Sequence, residues 1–477
     1  MTSPNRQAPK IGVVSNSIGV YSEQGKQAAE TQIRGLLETL KKDHVISDQS
    51  FVFPRRIFGP TEAEEVADRF VDEKVDGMVV LDSAFPNGNA FLTLAADAYL
   101  SRIPLILTAP PEIDLGDREW TTNAYCGLLM NNYVAKQLGR PVFPLAGWPA
   151  DASYQAQFRK LMSVVYTIRQ LRRELLGRFG DAPGGFHCAS GNRLAYARLF
   201  GTRIETIDLT AVFETYRTGK AAGYQGEAAF AEADVDRTCE KMTAGREVLT
   251  GPERVRKAAR LFHALSALIE ANGFTSAALR CWPEIMQVEG ISACLSVGWL
   301  LSEGVVRAAA CEGDWPTAVT QGMATLLSGK PAACLDFINQ VGAQSVVQLA
   351  HCGVGIPCLM EDAKIGEISP DRQGGVSMGP TCIGQFSYGV KTGVVLSQDR
   401  DGAFKMLAFT GESRPDTRRD LLCAAADVEV RSPERLNRLL LEHGFPHHLA
   451  MAAGDIRQEL KWLCDFYQIE YVTPDEA

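Results

Sequence analysis

The chain has 477 residues, 46% of them hydrophobic and 22% charged, too long for one ordinary domain and rich enough in apolar side chains for sizeable cores. Fifty-seven acidic against 48 basic residues leave a net charge of −9. That balance argues against nucleic acid as the main partner, because phosphate binding needs a basic face. The 12 cysteines include no CxxC pair, which fits a reduced compartment and lacks the paired spacing of a thiolate zinc site. The opening "MTSPNRQAPKIGVV" has no apolar signal core, and no apolar run approaches about 18 residues, so a cytoplasmic protein without a membrane span is expected.

Residues 10–110 read as repeated β-α units. "IGVVSN" (11–16), "FVFPRRIF" (51–58), "GMVVLD" (77–82) and "IPLILTA" (103–109) are strand-like runs, and Pro54 places the second near an edge or a strand end. Between them lie amphipathic segments with helical spacing: "SEQGKQAAETQIRGLLETLKK", "TEAEEVADRFVDE", with Thr61 and Glu64 in a capping pattern, and "AFLTLAADAYLS". Strands alternating with helices imply a parallel sheet, whose ligands sit at the carboxyl ends of the strands. The loop "SNSIGVYSE" (15–23) is thus a candidate rim, without the GxGxxG of a dinucleotide site.

"GWPADASYQAQ" (147–157) reads as a domain crossing into a second α/β block. There "VVYTIRQLRRELLGRF" is expected as a helix, "GFHCAS" and "TRIETIDL" as strands, and 216–252 as a polar excursion with helices. "PERVRKAARLFHALSALIEANG" is a helix stopped by Gly273. "FTSAALRCW" is a strand, "GISACLSVGWLLSEG" a helix and "VVRAAACEG" a strand. After about residue 340 the runs shorten ("SVVQLAHCG", "GQFSYGV", "TGVVLSQ", "FKMLAFTG"), "SQDRDGAFK" signals a hairpin, and "SPERLNRLLLEHG" is a late helix. The expectation is an α/β chain. Two Rossmann-like α/β domains, 1–150 and 151–340, precede a mostly β, barrel-like domain, 341–477.

The chemistry concentrates late. Four of the seven histidines, His351, His443, His447 and His448, fall in the last 127 residues. Glu312 ends the run "RAAACE", and Asp336 lies inside the apolar "PAACLDFI". A lone buried carboxylate costs several kcal/mol unless it is paired or binds metal. Two carboxylates with one or two imidazoles make a hard O/N donor set suited to Mn²⁺ or a similar divalent ion. Plain structural roles compete with this reading. Glu312 and Asp314 sit where a helix starting at Trp315 would be capped, His447-His448 follows Pro446 in what reads as a loop, and His351 suits a strand core. His443 suits a helix C-terminal dipole.

Taken together, "GISACLSVGWLLSEGVVRAAACEGDWPTAVTQGM", "CLDFI", "QLAHCG" and "GFPHHLAM" resemble motifs of the L-arabinose/L-fucose isomerase superfamily. In that family an EGDW-like strand end carries one acidic metal ligand. The acid of the next motif, 24 residues on here (312 to 336), carries the other, as Asp in the fucose branch. "QLAHCG" is similar to the arabinose-branch strand that bears a His, and in the C-terminal His-His pair the second is the ligand. The resemblance covers about 285–360 and 440–472.

The resemblance implies an aldose–ketose isomerase working through a cis-enediol with a divalent metal, for which the donor set suits Mn²⁺. Glu312 and Asp336 would serve as acid/base pair and metal ligands, with His448 as third ligand and His351 as a fourth ligand or an orienting neighbour. Gln287, Trp315 and His447 are the candidate sugar contacts, and a trimer or hexamer of identical chains is the implied assembly. Two alternatives stay open on the residues: another metal-dependent sugar epimerase or lyase on the same scaffold, and a non-catalytic sugar-binding protein.

Overall fold

The computed structural model describes residues 8–112, 121–339, 345–351, 353–368, 378–415 and 423–475, so the first seven residues of the N-terminal segment read above lie outside it. The chain divides into two compact units, 1–170 with 461–468, and 171–460 with 469–477.

The first unit contains β1 (Ile11–Asn16), α1 (Glu23–Lys42), β2 (Phe51–Val52), α2 (Pro60–Asp72), β3 (Gly77–Asp82), α3 (Gly88–Ala96), β4 (Leu105–Ala109), α4 (Ala124–Gln137), β5 (Phe143–Ala146) and α5 (Ala152–Leu171). Its sheet has the order β2-β1-β3-β4-β5, and every pairing is parallel. β1, β3 and β4 are buried along their whole length, as strands covered on both faces must be. Ser22 caps α1 by accepting from the amide of Gly25. The expected Thr61–Glu64 cap is not used: α2 starts two residues earlier, with Gly59 as its N-cap and Pro60 at the first helical position, where the missing N–H costs nothing. β2 is only two residues long and lies at the sheet edge, because Pro54 cannot donate to a ladder.

The second unit opens with β6 (Leu175–Phe179), α6 (Arg193–Phe200), β7 (Arg203–Ile207), α7 (Leu209–Thr218), β8 (Lys220–Gly223), β9 (Gly226–Ala229), α8 (Glu232–Thr243), α9 (Pro252–Asn272), β10 (Ser276–Leu279), α10 (Glu284–Glu289), α11 (Cys294–Ser302), β11 (Ala309–Cys311) and α12 (Trp315–Ser328). A four-stranded parallel sheet runs β11-β10-β6-β7. Two expectations are corrected here. "LLGRF" is strand β6, not the tail of a helix, and "GFHCAS" holds a single 3₁₀ turn at His187–Ala189 instead of a strand. Pro183 and the paired glycines 184 and 185 break the extended run before it can pair. α9 is the long central helix, with Pro252 at its start, Gly273 in the left-handed conformation at its end (φ 70°), and Val255, Ala258, Ala259, Phe262 and Leu265 among its buried residues. Burying one such leucine contributes about 1.5–3 kcal/mol.

The remainder is β12 (Ala333–Phe337), β13 (Val346–His351), β14 (Lys364–Ile368), β15 (Met378–Gln385), β16 (Gly389–Gln398), β17 (Phe404–Arg414), β18 (Ala424–Val430), α13 (Pro433–His443), β19 (His448–Ala453), α14 (Arg457–Tyr467) and β20 (Glu470–Val472). The strands order as β14-β15-β18-β13-β12-β19-β16-β17-β20, and β17 also pairs with β18. That extra ladder closes β18, β13, β12, β19, β16 and β17 into a barrel-like ring, which removes the free edges an open sheet would expose. The hairpin expected at 397–405 joins β16 to β17, antiparallel over ten residue pairs. The mixed α/β architecture with parallel sheets and a C-terminal barrel-like sheet is the one read from sequence. No helix among the described residues is long and apolar enough to cross a membrane.

Candidate active site

Four strand ends of the second unit bring the late acidic and imidazole groups together. Asp336 on β12 pairs in register with His448 on β19 and, on its other side, with Ala350 on β13. His351 is therefore the next residue along. Glu312 follows β11 at the edge of the parallel sheet, and α12 begins three residues later. Of His447-His448, expected in a loop, His447 does lie in the loop, whereas His448 opens β19 and is 1% exposed.

Glu312 occupies the left-handed region (φ 59°), and Gly313 follows it there (φ 63°). A non-glycine residue in that conformation costs roughly 1–3 kcal/mol and persists where its surroundings hold it, often at functional sites. The double turn separates the two acids of "EGD". Glu312 faces the imidazoles, whereas Asp314 caps α12, accepting from the amide and the hydroxyl of Thr317 at 2.9 and 2.7 Å.

His448 stands at the centre. Its Nδ1 lies 2.6 Å from Oδ2 of Asp314, so the ring N–H donates to that carboxylate. The ring's orientation is thereby fixed, and Nε2 is directed to the other side. There Nε2 lies 3.1 Å from Oδ1 of Asp336 and 3.3 Å from Oε2 of Glu312. Among the described residues these three buried atoms have no aligned hydrogen-bond partner. Converging polar atoms left in this state are costly in a protein interior unless a cation or ordered water joins them. His447, its side chain 46% exposed, places Nε2 3.8 Å from Oδ1 of Asp336. The rings of His351 and His448 are 5.4 Å apart.

Two triplets have ligand atoms close enough to share a cation, Glu312-His447-His448 and Asp336-His351-His448, and both include His448. The donor chemistry fits a hard or borderline divalent ion with oxygen and imidazole ligands. Burial works against a charge on His448, but the neighbouring Cys334 sulfur and the carboxylates of Asp314, Asp336 and Glu312 outweigh it and hold its pKa well above the ordinary imidazole value. Burial would raise Asp336, yet the three imidazoles around it bring its pKa down. Burial keeps His351 below its ordinary value, against the pull of Asp336, and a neutral ring is the form that ligates metal.

The other expected residues lie elsewhere. Trp315 is 1% exposed, packed edge-on against Tyr196 with ring centroids 4.7 Å apart, so it is enclosed in the core. Gln287 is exposed on α10, and the contacts that tie the cluster together do not include it. Sequence reasoning passed over Asp314 as a partner of His448, and it missed Arg178, whose guanidinium reaches the carbonyl of Gly313. The cap pattern accounted for Asp314 by itself, and Arg178 sits in a strand that reads as helix.

No protein-family model matches the chain. Curated relatives do. A sulfoquinovose isomerase of Alkalicoccus urumqiensis is 25% identical over 410 residues, 84% of this chain and 87% of that protein. One from a Clostridium species is 24% identical over 80% of this chain and 84% of its own length. A third, from Priestia aryabhattai, is 22% identical over 94% and 97%. All three are sugar isomerases, the reaction class that the sequence motifs imply, rather than lyases or binding proteins. These similarities support the L-fucose/L-arabinose isomerase superfamily for this chain and indicate an aldose–ketose isomerase, an intramolecular oxidoreductase.

Proposed function

We propose that this enzyme is a metal-dependent isomerase whose sugar is sulfoquinovose, the compound its relatives are named for, and that Glu312 and Asp336 are its acid/base pair. The supporting observation is the convergence of Oε2 of Glu312, Oδ1 of Asp336 and Nε2 of His448, all buried and none satisfied by an aligned hydrogen bond among the described residues. Glu312, Asp336 and His448, with His351, are the residues that would hold the ion, and Mn²⁺ suits the donors. When bound, a divalent cation polarises the sugar carbonyl and so acidifies the neighbouring C–H.

Isomerisation moves one proton between C2 and C1 and one between the two oxygens. A carboxylate beside the sugar removes the C2 proton of the aldose and returns it to C1 from the same face, through a cis-enediol. The second carboxylate moves the hydroxyl proton from O2 to O1. In the reverse direction the same groups run the steps backwards. Positioned acid/base groups contribute roughly 10²–10⁴-fold each. The Asp314–His448 hydrogen bond keeps the imidazole from turning while this happens. His447, half-exposed beside Asp336, is the candidate sugar contact from the open side. A homo-oligomer, trimer or hexamer, and a cytoplasmic location complete the proposal.

The test is turnover of sulfoquinovose with Mn²⁺, compared with L-fucose and L-arabinose, followed by ketose formation and by solvent deuterium entering the product. Ketose from sulfoquinovose with deuterium at C1 is expected. Ketose from L-fucose or L-arabinose alone would overturn the substrate assignment.

A further inference from the structure

We infer that Arg178 is a positioning residue for Glu312, clamping the left-handed Glu312–Gly313 turn to the loop that follows β6. The inference rests on Glu312 being a metal ligand and acid/base group, as proposed above.

Arg178 lies on β6, in register with Ala278 of β10, and is 4% exposed. Its guanidinium is engaged in three directions. Nε donates to the carbonyl of Gly313 at 2.9 Å. Nη1 meets the Asp181 carboxylate at 2.5 Å. Nη2 donates to the Ser190 hydroxyl at 2.9 Å and approaches the Ala189 carbonyl at 3.4 Å. The bound carbonyl is that of the residue directly after Glu312. The segment held by Nη2 adjoins Cys188, whose sulfur lies 3.7 Å from Nδ1 of His447.

The turn needs such a clamp. Two consecutive left-handed residues are not a resting state of the chain, and only the second is a glycine. A Cβ on Gly313 would come within 2.9 Å of the carbonyl oxygen of Asp181, so the turn is already seated against the loop that Arg178 also grips. The guanidinium is planar with five fixed donors, and an ammonium cannot reproduce a three-way grip of this geometry. A buried cation is retained at a cost in desolvation. Here it joins a strained acidic residue to a loop beside His447. The guanidinium acts on Glu312 through the backbone of the Gly313 turn, and it also attracts the Asp314 carboxylate that holds His448.

The experiment compares wild type, Arg178→Lys and Arg178→Ala for Mn²⁺ affinity by titration calorimetry, for thermal melting, and for kcat and KM separately, with and without added guanidinium. Arg178→Lys is expected to melt near wild type, to bind Mn²⁺ about 10–100-fold more weakly, and to lose kcat more than KM. Guanidinium is expected to restore part of the kcat of Arg178→Ala. Wild-type affinity and kcat in Arg178→Lys would overturn the role. So would loss of fold in both variants, which would make Arg178 a purely structural residue. Wild-type protein that neither binds Mn²⁺ nor isomerises a sugar would overturn the functional reading instead, a result that the wild-type arm alone reveals.

Discussion

The Asp314 carboxylate holds Nδ1 of His448 at 2.6 Å while capping α12. One side chain thus ties the start of a buried helix to the orientation of the imidazole at the centre of the site. Both residues are 1% exposed, so the pair is shielded from solvent, and breaking such a pair by removing one partner typically costs 3–5 kcal/mol.

Asp314→Asn and Asp314→Ala separate the two jobs. Asparagine is as good a helix cap as aspartate, so Asp314→Asn is expected to retain most of the cap while weakening the hold on His448. Asp314→Ala should lose about 1 kcal/mol more from the missing cap. Both should weaken Mn²⁺ binding by about 10–100-fold, the usual effect of removing a group that orients a metal-binding histidine. Urea midpoints and calorimetric titrations measure the two effects independently. Unchanged metal affinity in both variants would contradict the orienting role.

Glu312 is expected to trade stability for function. Replacing it with glycine removes the left-handed strain of its backbone, so Glu312→Gly should match or exceed the wild-type urea midpoint, by up to about 1 kcal/mol. The same variant should show no isomerase activity. Glu312→Gln keeps the strain and should fall by about 10²–10⁴-fold or more in kcat. A midpoint for Glu312→Gly well below that of Glu312→Gln would contradict the strain argument.

Metal and stability should be linked. An ion bound only by the folded chain adds about 2.7 kcal/mol at a free concentration 100 times its dissociation constant. Melting is therefore expected to rise with added Mn²⁺, to fall with a chelator, and to show neither response in Asp336→Asn. Equal metal responses in wild type and Asp336→Asn would place the ion elsewhere.

A pH effect is expected in the first unit. Glu112 accepts from the amides and hydroxyls of Thr121 and Thr122 and from the amide of Asn123. Burial opposes its charge, but those hydrogen bonds outweigh it and hold its pKa at about 2, below an ordinary 4.5. A depressed carboxylate pKa contributes stability that is complete above the unfolded value and is lost as pH falls from about 4.5 through about 2. Because the side chain is solvent-exposed, the effect is discounted to about 1 kcal/mol. Glu112→Gln should thus be less stable than wild type at pH 7, and the difference should vanish near pH 2. A difference independent of pH would contradict it.

Much of the architecture was legible because its strands are continuous apolar runs between helical patterns. β1, β3 and β4, the long helix α9, and the β16–β17 hairpin lie where the pattern puts them. The stretch from 110 to 146 gave no signal, yet it contains α4 and β5. β5 alternates buried Phe143 and Leu145 with exposed Pro144 and Ala146 over only four residues, too short for periodicity to register. α4 begins at Asn123 in the left-handed conformation, with no side-chain cap to announce it. In the site, acid and imidazole types and their chain order could be read. The Asp336–His448 register could not, because cross-strand pairing joins residues 112 positions apart. Nor could the role of Arg178, which joins β6 to a turn 135 positions away.

The most direct test of the central claim is a crystal structure of the enzyme soaked in Mn²⁺, with anomalous diffraction collected at the manganese edge. The account predicts one anomalous peak in contact with Nε2 of His448 and with the carboxylates of Glu312 and Asp336. A peak at another place, or none while the same crystals convert the sugar, would contradict it.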